Sequence, residues 1–126
     1  MTRSRLDERG QATVELALLL PLVAVLLVGI VQLAMVARDH TLVTHAAREA
    51  VRAAAVSDDP AAPQRAAEAA GPLAPERVRV QVTERGPVGS AITAVVRYAS
   101  PVGIPVVGAL VHDVRLEARA TMRVER

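Results

Sequence analysis

The stretch Glu8–Pro21, ERGQATVELALLLP, decides how this chain is built, because a carboxylate, Glu15, stands at the mouth of a long apolar run. Five residues before it, Gly10 closes a short charged segment. A charged side chain at the centre of a bilayer costs at least about 2.5 kcal/mol. Glu15 therefore needs a partner, a position near the interface, or an assembly that supplies what the single chain lacks.

Downstream of Glu15, Leu16 to Val31 is apolar throughout, counting Pro21 and Gly29, and after Gln32 the run resumes to Ala37. At about 1.5 Å per residue this stretch covers roughly 33 Å, close to the hydrocarbon thickness of a membrane. A transmembrane helix from Leu16 to Ala37 is predicted. Pro21 is tolerated near the end of such a helix, where the freed carbonyl of Ala17 finds other donors. Upstream, MTRSRLDERG is charged and without hydrophobic periodicity, and reads as a leader or cytosolic tail. Its Arg3, Arg5 and Arg9 outweigh the flank after the run, where Asp39 and Glu49 offset Arg38, Arg48 and Arg52, so a cytoplasmic N-terminus and an external C-terminus are expected. A cleaved secretory signal fits less well, since the apolar run is long and no small-residue cleavage site follows it.

Beyond the membrane run, Leu42, Val43, Ala46, Ala47, Ala50, Val51 and Ala54 recur at spacings of three and four, with Arg38, Asp39, Arg48, Glu49 and Arg52 falling elsewhere. That period belongs to an amphipathic helix, so one helix of roughly 45 residues from Gln11, near 68 Å long, is predicted. Pro60 and Pro63 in SDDPAAP end it, and Asp58 and Asp59 belong to that helix-ending loop. QRAAEAAG is read as two further turns capped by Gly71. The remainder alternates with period two. Val78, Val80 and Val82 alternate with Arg79, Gln81 and Thr83, and Ala91–Ala99 is rich in β-formers behind the turn GPVGS. Val114, Leu116, Ala118, Ala120, Met122 and Val124 alternate with Arg115, Glu117, Arg119, Thr121 and Arg123. Such strands bury one face and wet the other. The expected fold class is α+β: a long N-terminal transmembrane α-helix that extends outside the membrane and packs on a small three-stranded antiparallel sheet. The segments are 1–10 (leader), 11–56 (membrane and emerging helix), 57–75 (loop with a short helix) and 76–126 (small β-rich external domain).

Composition narrows function. Hydrophobic residues make up 52% of 126, yet Tyr98 is the single aromatic, so the core must be Val, Leu, Ile and Ala. Cysteine is absent, which excludes disulfides and thiolate metal sites. All 15 basic residues are arginine, but the net charge is only +2, and losing the first ten residues would lower it by one. That balance does not argue for a nucleic-acid partner, whatever the high pI. His40 and His45 are five apart and share no helix face, which speaks against a metal site there. No glycine-rich phosphate loop or nucleophile elbow is present, so neither an enzyme nor a cofactor is expected. Arg115, Arg119 and Arg123 read as a solvated strand face, with docking of an acidic partner as the alternative. The apolar segment Ser100–Asp113 reads as a loop folded over a sheet edge or as an exposed patch that binds a partner.

RGQATVELALLLPLVAVLLVGIVQLAMVARDHTLVTHAAREAVRAAA, Arg9 to Ala55, resembles the TadE-like family, the minor pseudopilins of tight-adherence (Flp-type) pilus systems. The resemblance lies in Arg9-Gly10, in Val14-Glu15 at the fourth and fifth positions after the glycine, in Leu20-Pro21, and in Ala46-Ala47-Arg48-Glu49-Ala50. It implies cleavage by a prepilin peptidase after Gly10, leaving Gln11 as the N-terminus and Glu15 at mature position five. Glu15 would then pair with an α-ammonium, its own or a neighbouring subunit's. It further implies other pilins or pseudopilins and a pilus assembly platform as partners, and the cytoplasmic (inner) membrane as location. Gln11 stands where type IV major pilins carry Phe, and Leu16 follows Glu15 where Flp major pilins carry Tyr. About 70 residues follow the helix, and these departures favour a minor pseudopilin over a filament subunit. The competing reading is an uncleaved signal-anchor protein with an external protein-binding domain.

Overall fold

The computed structural model describes residues 4–83, 85–101 and 112–125, without the side chains of residues 4–9. Helix α1 spans Ser4–Val56 and α2 spans Ala62–Ala69. A 3-10 turn at Pro75–Arg77 leads into β1, Val78–Val82, followed by β2, Ala91–Ser100, and β3, Val114–Arg123. The chain divides into two compact units, Met1–Ala34 and Met35–Arg126, and α1 contributes to both.

Among the described residues the first unit is helix alone. It begins earlier than Gln11, at Ser4, because Arg, Leu and Glu in the charged segment are good helix formers and a single glycine costs only about 1 kcal/mol. Pro21 lies inside the helix. From Val14 to Met35 the large apolar side chains stand exposed, Leu18 at 73% and Leu33 at 70%. Each would gain about 1.5–3 kcal/mol from leaving water, and only an apolar surrounding outside the chain can supply that. The helix is long and apolar enough to cross a membrane; it is a single-pass membrane anchor.

The second unit builds its core on the predicted helical stripe. Val43, Ala46, Ala47, Ala50, Val51, Ala54 and Ala55 are buried against Val78, Ile92, Ala94, Val96, Tyr98 and Leu116 of the sheet. The sheet is an antiparallel meander in the order β1-β2-β3, with Val80 opposite Val96 and Val96 opposite Ala118. Central β2 alternates buried and wet positions from Ala91 to Ser100, as period two requires, apart from partial cover of Thr93, Val95 and Ala99. Small residues on the helix and branched ones on the sheet let a core with one tyrosine close.

Several local expectations are revised. β1 ends at Val82, with only its first residue fully buried, because it lies at a sheet edge. Met122 lies on the core-side face of β3 yet is not buried but 42% exposed, near the end of the other edge strand. Gly71 does not cap α2. The helix closes at Ala70, whose φ of −71° is right-handed and whose N–H donates to the Ala67 carbonyl at 3.3 Å. Gly71 matters for space instead, since a Cβ there would lie 3.3 Å from Leu42 Cδ2. Gly89 carries the positive φ, +88°, in the turn closed by Ser90 N–H donating to the Pro87 carbonyl at 3.0 Å. Most of the apolar segment Ser100–Asp113 lies outside the described residues, as do the side chains of Arg3, Arg5 and Arg9.

Candidate functional site

The residues singled out in the sequence lie along one helix and do not converge on a cavity. Gly10 is exposed and helical, and a Cβ placed there would meet nothing within 4 Å. The fold therefore makes no demand for glycine at this position. Gln11 and Glu15, four residues apart, face each other, and Gln11 Nε2 donates to Glu15 Oε1 at 3.2 Å. The carboxylate at the mouth of the span thus has a neutral donor one turn upstream, a weaker partner than an ammonium would be. Leu16 is 61% exposed, Gly29 has open space around it, and Pro21 and Ala37 are exposed as well.

In the second unit the charged groups are tied into the fold. Asp59 accepts from Ala61 N–H at 2.9 Å and pairs with Arg65 across the start of α2. The Arg65 hydrogen bond, then that of Ala61, holds the Asp59 carboxyl below its ordinary value. Glu117 binds Arg97 Nε at 2.8 Å and Arg119 Nη2 at 3.1 Å, and these two, Arg97 first, likewise lower its carboxyl. His40, His45 and His112 are exposed, and among the described residues no three His, Cys, Asp or Glu side chains gather as a metal site. A cleft of about 380 Å³ lies between the end of α1, α2 and β1, bordered by Asp58, Gln64 and Arg85. No nucleophile and base meet there.

Three anchoring residues escaped the sequence reading. Gln64 on α2 acts as a strand rung. Its Nε2 donates to the Val78 carbonyl at 3.1 Å, and its Oε1 accepts from Val80 N–H at 3.0 Å. Arg85 donates to the Ser57 carbonyl at 2.6 Å and pairs with Asp58 at 2.7 Å, placing a cation at the C-terminal end of α1, whose last turn has none of its own. Asp39 accepts from Ser100 Oγ at 2.6 Å, pinning α1 to the end of β2. Each partnership spans more than a dozen residues, and no local pattern announces it.

Fold and site together define a single-span membrane-helix protein with a small α+β unit after the span. Residues 10–52 match the model of the TadE-like protein family, so that segment is similar to the family its residues already resembled. The match covers about a third of the chain, from Gly10 through most of the core stripe, and leaves the sheet outside it. No curated protein and no solved structure matches the chain.

Proposed function

We propose that this protein is a minor pseudopilin that assists assembly of a tight-adherence (Flp-type, type IV-related) pilus or secretion apparatus. It is made as a precursor and cut between Gly10 and Gln11 by a prepilin peptidase. The observation that carries the reading is one segment that starts at Gly10, holds Glu15 at the mouth of an exposed apolar helix, and falls within the TadE-like match. Cleavage would replace the Gln11 peptide nitrogen with an ammonium one turn from Glu15, giving the carboxylate an ionised donor beside the neutral Gln11 carboxamide. Until such a partner is present, burying Glu15 in lipid is costly, which penalises misplaced registers among packed helices. The protein sits in the cytoplasmic membrane with its N-terminus inside and its sheet unit outside, and its partners are other pilins or pseudopilins and the assembly platform. It has no catalytic role of its own in this reading.

The run of α1 from Ser4 through Gly10 favours a second reading, because a protease needs an extended site. In it the protein is an uncleaved signal anchor whose external unit binds another protein. Intact-mass and N-terminal peptide analysis of the protein from its native membrane, beside a Gly10→Ala variant, separates the two. The first reading expects a native chain starting at Gln11 and a variant that keeps its leader. A leader retained on both chains establishes the second. Since a Cβ at position 10 meets nothing, misfolding of the variant is not expected.

A further inference from the structure

The two edges of the sheet are finished differently. Along β1 the Gln64 carboxamide occupies the outward groups of Val78 and Val80. β3 forms the other edge, and among the described residues no element pairs with its outer side. Val124 N–H donates to the Ser90 carbonyl at 2.9 Å, and the β2–β3 register then directs the even-numbered residues of β3 toward β2. The odd-numbered ones, Arg115 to Arg123, turn their N–H and C=O groups outward. An open edge of this length is a template for another strand unless something blunts it.

The side chains along that edge say which strand fits. On the wet face the order is Asp113, Arg115, Glu117, Arg119, Thr121, Arg123. Uniform charge would repel a second copy, but this order complements itself when reversed. We propose that the outer edge of β3 is a self-recognition surface that pairs antiparallel with β3 of a second copy of this chain, on a twofold axis through Ala118. In that register Glu117 faces the second copy's Arg119, Asp113 faces its Arg123, and Arg115 faces its Thr121. No like charges meet. One residue of slip in the axis, onto Arg119, sets Arg119 against itself and Arg115 against Arg123. An axis on Leu116 or Ala120 also avoids like charges but pairs a shorter part of β3. The core-side face agrees: Val114, half-buried, comes opposite Met122, 42% exposed at the open edge, and Leu116 comes opposite Ala120. Arg123 has no hydrogen-bond or ion-pair partner among the described residues, and Arg119 is held only by its own neighbour Glu117. The pairing joins two three-stranded sheets into one of six strands, an isologous contact of backbone rungs with alternating ion pairs. It does not depend on whether the leader is cut.

The chain has no cysteine, so one introduced thiol reports the register. In the full-length protein in nanodiscs, Ala118→Cys brings two thiols together at a non-hydrogen-bonded pair, with Cα atoms about 4.5 Å apart, within disulfide range. Copper(II)-phenanthroline takes up the two electrons as the thiols lose their protons and the S–S bond forms. Ala120→Cys sets the twin thiols four residues out of step, about 13 Å apart, and they stay reduced. Arg119→Glu in the Ala118→Cys background turns attraction into repulsion and slows crosslinking on the order of tenfold. Mixing that chain with a Glu117→Arg, Ala118→Cys chain restores the rate, because Glu then faces Arg at both places. If folding fails in the Glu117→Arg chain, Arg123→Glu serves instead, and must slow crosslinking while the near-ultraviolet signal of Tyr98 is unchanged. Crosslinking at position 120 in place of 118, at neither, or at 118 regardless of these charges overturns the proposal.

Discussion

Replacing Gln64 with leucine tests how the β1 edge is closed. Leucine matches glutamine in size and helix propensity, so α2 itself loses only the Gln64–Glu68 bond, worth about 0.2–0.5 kcal/mol. What disappears is the pair of bonds to Val78 and Val80, at 3.1 and 3.0 Å, which leaves the half-buried Val80 N–H without its acceptor, while the Val78 carbonyl keeps the Arg79 Nη1 donor at 2.9 Å. At about 0.5–1.5 kcal/mol per net hydrogen bond, the loss is about 2 kcal/mol. For a unit the size of Met35–Arg126 that is a fall in melting temperature of about 8–16 °C. The membrane helix would mask this in far-ultraviolet dichroism. Tyr98 is the only aromatic side chain and is 6% exposed, so near-ultraviolet dichroism of the full-length chain in detergent follows the sheet unit alone. A shift under about 2 °C would mean that water replaces the carboxamide without penalty, and that Gln64 is no strand surrogate.

Four further outcomes are expected. Ala50 is fully buried in the helix stripe, and Ala50→Leu should destabilise the unit by about 1–3 kcal/mol in urea unfolding despite leucine's good helix propensity, because the site is already filled. Ser90 Oγ is buried without a hydrogen-bond partner, so Ser90→Ala should be neutral or stabilising by up to about 1 kcal/mol. A Cβ at position 86 would lie 2.6 Å from that hydroxyl, and Gly86→Ala should therefore cost less when combined with Ser90→Gly than alone, as a double-mutant cycle reads out. The Asp59 carboxyl lies below its ordinary 3.8, so its contribution is present above that value and is lost as pH falls through the lower folded one. Asp59→Asn should flatten the acid limb of the stability profile on that side, and an unchanged limb would count against the Arg65 pairing.

The proposed self-pairing also bears on assembly. In the proposed pseudopilin the exposed helix would engage neighbours through its apolar surface, which salt screens little, whereas β3 would engage them through backbone rungs and alternating charge, which salt weakens. An assembly made by both is thus sensitive to ionic strength only at its sheet contacts. The Ala118→Cys crosslinking yield measured against salt separates the two contributions.

What the sequence alone determined is whatever repeats along the chain or depends on a run. Leu16–Ala37 announces a membrane span because nothing polar but Gln32 interrupts it, and Val43 to Ala54 announces a buried stripe by its spacing. Alternation in β1 and β3 announces a sheet with one wet face, and the glycine-to-glutamate spacing, joined to the run, pointed to the family that residues 10–52 match. Tertiary structure decided what depends on residues distant in sequence. It chose Gly89 over Gly71 for the positive φ, and it exposed Met122 by leaving β3 at an edge. It also enlisted Gln64, Arg85 and Ser100 to satisfy backbone and carboxylate groups that no neighbour in sequence reaches. Periodicity records which face of an element leaves water. Which edge stays open, and which polar side chain closes the other, is set only once the elements are packed together.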